Sequence, residues 1–181
     1  MRRLAVPALL VALALTATPG LGVPAGAAEI PRVQLVKDPG GDVRTSGRVP
    51  TAVRRSVDVS SLQVRRDATQ LRLGFRLRDV RSFAGYEQGA TVLLSRRNRT
   101  QRFTVDGSRV LQGDPTEGRV CEDGRAVRKA GGDVLVVRLP FLCIRTTPGK
   151  PVDLRGIATA TPRGTGGTAS DPTRTVRADP R

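Results

Sequence analysis

The chain of 181 residues contains no histidine and no tryptophan, and its aromatic side chains are four phenylalanines and one tyrosine. Without histidine there is no Ser-His-Asp or Cys-His catalytic arrangement, no imidazole proton shuttle and no imidazole-bound zinc. With so few aromatic rings there is little surface on which unpaired bases can stack, so specific nucleic-acid binding is not expected. These absences remove the commonest enzyme chemistries and favour a noncatalytic protein.

The first 28 residues have the composition of a secretory signal peptide. Residues 1–3 carry two arginines, residues 4–16 form an apolar run too short to span a bilayer comfortably, and residues 25–27 are small, as cleavage requires. Cleavage is expected after Ala27 or Ala28, and no later apolar run is long enough to anchor the product. The sequence therefore predicts a secreted, extracellular protein without a transmembrane anchor in its mature form. An uncleaved N-terminal anchor is the alternative interpretation.

The body of the chain alternates like β-strands. Between Leu71 and Arg78 every odd position is apolar and every even position is arginine or glycine, which is the period of a half-buried strand. Other short β-branched runs, among them Val57 to Val64, are bounded by Gly, Pro, Asp or Asn. Within Val57 to Val64 the phase slips at Ser60-Ser61, as a β-bulge or a strand break would cause. The only helical turn expected lies near residues 80–88. The prediction is an all-β domain over residues 29–161, a single antiparallel β-sandwich of about seven to nine strands. It is followed by a flexible low-complexity tail over residues 162–181 with at most one edge strand.

The two cysteines are expected to form one structural disulfide. An exported protein meets an oxidising compartment, and an even count of two allows a single intramolecular pairing, Cys121 with Cys143. Their separation of 22 residues corresponds to about 3 kcal/mol of stabilisation in the chain-entropy model. An intermolecular bridge is the remaining alternative.

Positive charge dominates the composition. The chain has 28 arginines and three lysines against 16 acidic residues, a net charge of +15, which falls by two to +13 when Arg2 and Arg3 leave with the signal peptide. The candidate anion-binding residues are Arg72, Arg76, Arg78, Arg96 and Arg97. A basic surface of this kind attracts anionic polymers, so the expected partner is an anionic cell-envelope polymer or polysaccharide. The arginine bias also fits a GC-rich genome, in which case it requires no ligand.

An acidic turn near the start of the mature chain is the candidate metal site. Asp38 and Asp42 bracket Pro39-Gly40-Gly41, and Asp58 joins them if its strand pairs nearby. Carboxylate oxygens of this kind suit calcium, which is the one cofactor considered for this chain. The alternative is ordinary turn chemistry, in which Asp side chains cap their own backbone.

The order of several short motifs resembles a group of small secreted actinobacterial β-sandwich proteins related to DOMON domains and to family-nine carbohydrate-binding-module-like jelly rolls. The matching segments are Asp38-Pro39-Gly40-Gly41-Asp42, Val57-Asp58-Val59, Leu139-Pro140-Phe141-Leu142-Cys143 and Asp171-Pro172-Thr173. The resemblance covers roughly residues 33–161 and implies a jelly roll with an extracellular binding role, in keeping with the calcium seen in some relatives. The tryptophan pair of the sugar-binding members and the Met and His heme ligands of the heme-binding branch are absent.

Two other functional classes stay open at this stage. A secreted hydrolase would use a pair of Asp or Glu side chains on either side of a scissile bond. An inhibitor or partner-binding protein would present the same arginines to another protein. In each case the chain is expected to be a monomer.

Overall fold

The computed structural model describes residues 33–79, 85–114, 116–129, 133–144, 151–164 and 166–178, all within one compact unit, Pro31–Arg181. The predicted signal peptide and its cleavage site lie outside these ranges, as do residues 80–84 of the predicted helical turn. Within the described ranges, no helix is long and apolar enough to cross a bilayer.

The described residues form twelve strands and one short helix. In chain order they are β1 (Val33–Lys37), β2 (Arg44–Ser46), α1 (Thr51–Val57), β3 (Val59–Arg66), β4 (Gln70–Leu77), β5 (Tyr86–Arg96), β6 (Arg99–Asp106), β7 (Arg109–Gln112), β8 (Arg119–Arg128), β9 (Val134–Pro140), β10 (Val152–Pro162), β11 (Thr168–Pro172) and β12 (Val176–Ala178).

All twelve strands belong to one antiparallel sheet. Its order is β1-β3-β4-β9-β8-β7-β6-β5-β10-β11-β2, and β12 pairs with β10. The all-β prediction is confirmed, but the sandwich of seven to nine strands is wrong, because the sheet curls on itself as a half-barrel. Strands β5 to β9 form a continuous meander of neighbouring hairpins that extends one sheet and never begins a second. Short strands at regular spacing suit a barrel as well as a sandwich, so the sequence pattern alone did not separate them.

The core lies on the inner side of the curled sheet. Leu71, Leu73, Phe75 and Leu77 of β4 are all buried, as the alternation predicts. Phe75 packs against Gly156 of β10, where an added Cβ would overlap the phenyl ring. Five strands separate β4 from β10 in the sheet order, so this contact shows how far the sheet curls.

The segment before β3 differs from the prediction. The run from Val57 to Val64 was expected to be one strand, but α1 occupies Thr51–Val57 and β3 begins at Val59. A helix of two turns is too short to display a sustained helical stripe, so periodicity gave no signal for it. Of the two alternatives for the phase slip, the β-bulge agrees with the structure, because β3 is continuous and its register with β4 shifts between Val59 and Ser61.

The predicted disulfide between Cys121 and Cys143 is confirmed, with a Cα–Cα distance of 5.6 Å. Cys121 lies in β8 and Cys143 lies in the turn that follows β9. The register between β7 and β8 shifts between Arg109 and Leu111, so residues 121–124 of β8 bulge out of the ladder. The disulfide therefore fastens this bulge to the end of the neighbouring strand.

The C-terminal segment is more ordered than its composition suggests. Residues 162–181 were predicted to be a flexible tail, but the segment contributes β11 and β12, which both pair with β10. Thr173, between these two strands, is buried, and its hydroxyl accepts a hydrogen bond from the Gly156 N–H at 3.0 Å. The small polar residues of this segment are buried through hydrogen bonds and close packing, which low-complexity composition does not reveal.

Candidate anion-binding surface

Five arginines lie opposite one another on five neighbouring strands. The register pairs Arg65 of β3 with Arg72 of β4, Arg72 with Arg138 of β9, Arg138 with Arg125 of β8, and Arg125 with Arg109 of β7. We call these five residues the arginine row. Neighbouring strands lie about 4.8 Å apart, so the row extends about 19 Å across the strands.

The arginine row lies on the outer face of the sheet. Side chains alternate between the two faces of a strand, and Leu71 and Leu73 on either side of Arg72 are buried in the core. Val137 and Leu139 are likewise fully buried on either side of Arg138. Residues directly opposite one another on antiparallel strands share a face, so all five guanidinium groups project outward.

Most of the arginine row has no acidic partner. Arg65 forms an ion pair with Asp67, with an Nε–Oδ1 distance of 3.0 Å. Arg72, Arg109, Arg125 and Arg138 make no side-chain hydrogen bond or ion pair with any other residue in the part of the chain that the structure describes. Like charges placed directly opposite each other destabilise a sheet. The row therefore costs folding stability and leaves its donors available to an external anion.

The five arginines predicted from the sequence are not brought together. Arg72 lies in the arginine row, and Arg76 lies on the same outer face of β4. Arg78 instead donates from Nε to Asp58 Oδ1 at 3.1 Å and from a terminal nitrogen to the Pro39 carbonyl oxygen at 3.2 Å. It is therefore committed to an internal contact.

Arg96 and Arg97 lie at the hairpin between β5 and β6, four strands away from β4 in the sheet order. Together with Arg177, Asp153 and neighbouring residues they line a surface pocket of about 260 Å³. They are separate from the arginine row.

Sequence reasoning missed four members of the row, Arg65, Arg109, Arg125 and Arg138. Arg138 lies between the apolar residues Val137 and Leu139, and this alternation in the sequence already indicates that Arg138 faces outward. Its position beside Arg72 depends on the pairing of β4 with β9, which are joined through four intervening strands and are not a local hairpin. No local pattern in a single sequence reports such a pairing.

A second cluster consists of four carboxylates and lies where β1 and β3 approach β11. The structure brings the predicted Asp38, Asp42 and Asp58 within electrostatic range of one another and adds Asp171 of β11. Asp38, Asp58 and Asp171 are buried, and Asp171 is completely inaccessible to solvent. We call these four residues the acidic cluster.

The acidic cluster is held by backbone N–H groups and by Arg78. The Gly41 N–H donates to Asp58 Oδ2 at 3.2 Å, and the Val59 N–H donates to Asp171 Oδ2 at 2.6 Å. The Arg78 guanidinium packs directly on Gly40, whose φ of +73° and lack of a Cβ allow this approach. The Asp-Pro-Gly-Gly-Asp turn therefore wraps around an arginine side chain.

The pKa values of two cluster carboxyls are raised. Burial is the main cause of an Asp171 pKa of about 6, and the negative charges of Asp42, Asp38 and Asp58 add to it, while the Val59 N–H opposes the shift. Burial and the charge of Asp42 likewise raise the pKa of Asp38. Asp38 Oδ2 and Asp171 Oδ1 are buried without a hydrogen-bond partner. Protonation of Asp38, Asp171 or both would reduce the repulsion between these buried negative charges.

Calcium binding at Asp38, Asp42 and Asp58 stays a prediction. In the described ranges, no group of three or more Asp, Glu or Cys side chains has a geometry that could hold a metal ion. Both oxygens of Asp58 already accept hydrogen bonds, from Arg78 and from Gly41. A calcium ion would have to compete with the guanidinium for this carboxylate.

Comparison with known proteins assigns nothing further: no protein-family model matches the chain, and no curated protein or solved structure is similar to it. The likeness to DOMON and carbohydrate-binding-module jelly rolls therefore stays an interpretation of short motifs. The arginine row and the acidic cluster are therefore the features that bear on the function of this protein.

Proposed function

We propose that this protein is a secreted, noncatalytic binding module that holds an anionic polymer of the cell envelope against the arginine row. The observation that carries the proposal is the alignment of five arginines on neighbouring strands of one face, four of them without an acidic partner among the residues that the structure describes. A guanidinium group binds carboxylate or phosphate through two parallel hydrogen bonds, which gives the row chemical selectivity for such groups.

The energetics of the row favour a polymer over a small anion. A single carboxylate or phosphate neutralises one or two guanidinium groups and leaves the remaining like-charge pairs in place. A polyanion that crosses all five strands relieves every pair at once and releases several counterions, so its affinity falls steeply with salt. The net charge of +13 expected after signal-peptide removal adds a long-range attraction that accelerates the encounter.

The test compares two variants of the exported protein that lose the same charge in different places. In the row variant, Arg72, Arg125 and Arg138 are each replaced by Gln. In the control variant, three exposed arginines outside the row, Arg54, Arg55 and Arg99, are each replaced by Gln. The probes are fluorescently labelled polygalacturonate and poly(glycerol phosphate), and the dissociation constants are measured between 50 and 200 mM salt.

The row variant is expected to bind at least tenfold more weakly and to lose about three from the slope of log Kd against log salt. The control variant is expected to retain most of the affinity. Equal losses in the two variants would mean that the overall charge attracts the polymer without a site, and the proposal would then be abandoned.

A further inference from the structure

Beside the arginine row, the outer face carries a strip of nearly uncharged surface. Its residues are Leu35, Gln63, Gly74, Val136 and Val127, which lie opposite one another in register on β1, β3, β4, β9 and β8. We call these five residues the apolar strip. Each lies two positions along its strand from the level of the arginine row, so the two features run parallel across the sheet.

Positive side chains also border the far side of the apolar strip. Arg76 of β4 and Lys37 of β1 lie two positions beyond Gly74 and Leu35, and both are exposed. On one strand, Arg72 and Arg76 are four residues apart, which places their Cα atoms about 13 Å from each other. Ser61 lies between these two cations and Val134 follows Arg76, so the apolar strip is bordered by the arginine row on one side and by two separate cations on the other.

The middle of the strip is open backbone. Gly74 has no side chain, and a Cβ added there would meet nothing nearer than Gln63 Cβ and Val134 Cγ1, both at 3.7 Å. Leu35 and Val127, at the two ends of the strip, are 59% and 47% exposed, whereas Val136 between Gly74 and Val127 is buried. The Gln63 amide oxygen lies close to the Gly74 position. The strip therefore presents an aliphatic side chain at each end and, between them, one amide and a shallow gap where a side chain is missing.

We propose that the apolar strip binds a linear anionic polysaccharide, which crosses the strands with its sugar rings on the strip and its carboxylate or sulfate groups on Arg72, Arg138 and Arg76. This inference rests on the proposed function and names the class of polymer. A pyranose ring offers apolar C–H faces and hydroxyl groups, which match the aliphatic side chains and the Gln63 amide. A polymer of phosphate and glycerol requires only the cations and gains nothing from the strip.

The strand spacing agrees with this orientation. Successive strands are about 4.8 Å apart, which is comparable to the length of one sugar unit in an extended chain. Each sugar unit that lies across the sheet therefore faces one strand and the charged side chain that borders the strip on that strand. The affinity should rise with chain length until the oligosaccharide covers the five strands that contribute to the strip.

The decisive variant is Gly74→Val, which fills the gap in the strip and removes no charge. Gly74 lies inside a strand and has no positive φ, and the atoms nearest to an added Cβ would be at ordinary van der Waals distances. A β-branched residue is therefore compatible with the fold at this position. The matched control is Gly164→Val, because Gly164 is exposed, has no positive φ and has no atom within 4 Å of an added Cβ. Gly74→Ala is a smaller step in the same direction.

Binding is measured with oligogalacturonates of two to ten units and with poly(glycerol phosphate). We expect Gly74→Val to weaken oligogalacturonate binding at least tenfold, with an unchanged salt slope and an unaltered or higher Tm. Binding of poly(glycerol phosphate) should change less than twofold, and Gly164→Val should behave as the parent. The parent affinity for oligogalacturonates should level off at about five units.

The remaining outcomes separate this inference from the proposed function. If Gly74→Val weakens neither polymer while the row variant weakens both, the strip is not the binding surface and the arginine row stands alone. If Gly74→Val weakens both polymers equally, the strip does not select sugar, and the polysaccharide assignment is overturned. If the row variant also binds both polymers normally, the proposed function fails together with the inference.

Discussion

The buried carboxyl of Asp171 should make the folded protein more stable in mild acid than at neutral pH. Its pKa is about 6 in the folded state against an ordinary value of 3.8, so the folded state holds this proton more tightly than the unfolded chain. The resulting stability is fully present below about pH 3.8 and is lost as the pH rises through 6. The difference between the two pKa values corresponds to about 3 kcal/mol of unfolding free energy.

The variant Asp171→Asn isolates this effect. The asparagine keeps an oxygen that can accept the hydrogen bond from the Val59 N–H, and it cannot ionise. We expect it to be more stable than the parent at pH 7.5 by up to about 3 kcal/mol and nearly equal to the parent at pH 4. For a domain of this size the upper value corresponds to several degrees in Tm.

The assay is urea unfolding followed by circular dichroism at pH 4 and pH 7.5, with Asp133→Asn as a control at an exposed carboxylate. The reasoning is refuted if Asp171→Asn depends on pH as strongly as the parent, or if it is the less stable protein at pH 7.5. Repeating the pH 7.5 measurement with calcium tests the metal prediction. If calcium raises the free energy of unfolding of the parent and leaves that of Asp171→Asn unchanged, the acidic cluster holds the ion.

Two further predictions concern the arginine row. Arg138→Thr removes the like-charge pairs with Arg72 and Arg125, so it should raise stability by about 1 kcal/mol at low salt and by much less in 0.5 M salt, measured by thermal unfolding. A loss of stability, or a gain that salt does not reduce, would contradict this. Replacing Cys121 and Cys143 by Ser should lower stability by about 3 kcal/mol and weaken polygalacturonate binding, because the disulfide fastens the bulge that immediately precedes Arg125. Full binding by a folded variant without the disulfide would show that the row does not depend on it.

Local features of this fold were predictable from sequence, because they depend on neighbouring residues. The alternation around Phe75 identified a buried face and an outward face, and the phase slip at Ser60-Ser61 located a bulge that the structure contains. The disulfide was expected because the chain has two cysteines and a predicted secretory signal peptide. None of these requires knowledge of which strands are neighbours.

The arrangement of the strands was not predictable in the same way. Arg72 lies beside Arg138 because β4 pairs with β9, and Asp171 bonds to the Val59 N–H although the two are 112 residues apart. The first contact depends on the order of the strands in the sheet and the second on how the sheet curls, and no propensity or spacing in a single sequence encodes either. Asp38, Asp42 and Asp58 could be proposed from the sequence as one acidic site, but the buried Asp171 lies in a segment whose composition predicts a flexible tail.

The hydrogen bond between Asp171 and the start of β3 also bears on the order of folding. Strands β5 to β9 are joined by short hairpins, so they can pair with one another early in folding. The contact between β3 and Asp171 of β11 joins residues that are 112 positions apart, so it is expected to form after these local hairpins. Until it forms, the edges of the first strands stay exposed, and this interval is when the protein is most open to aggregation and proteolysis.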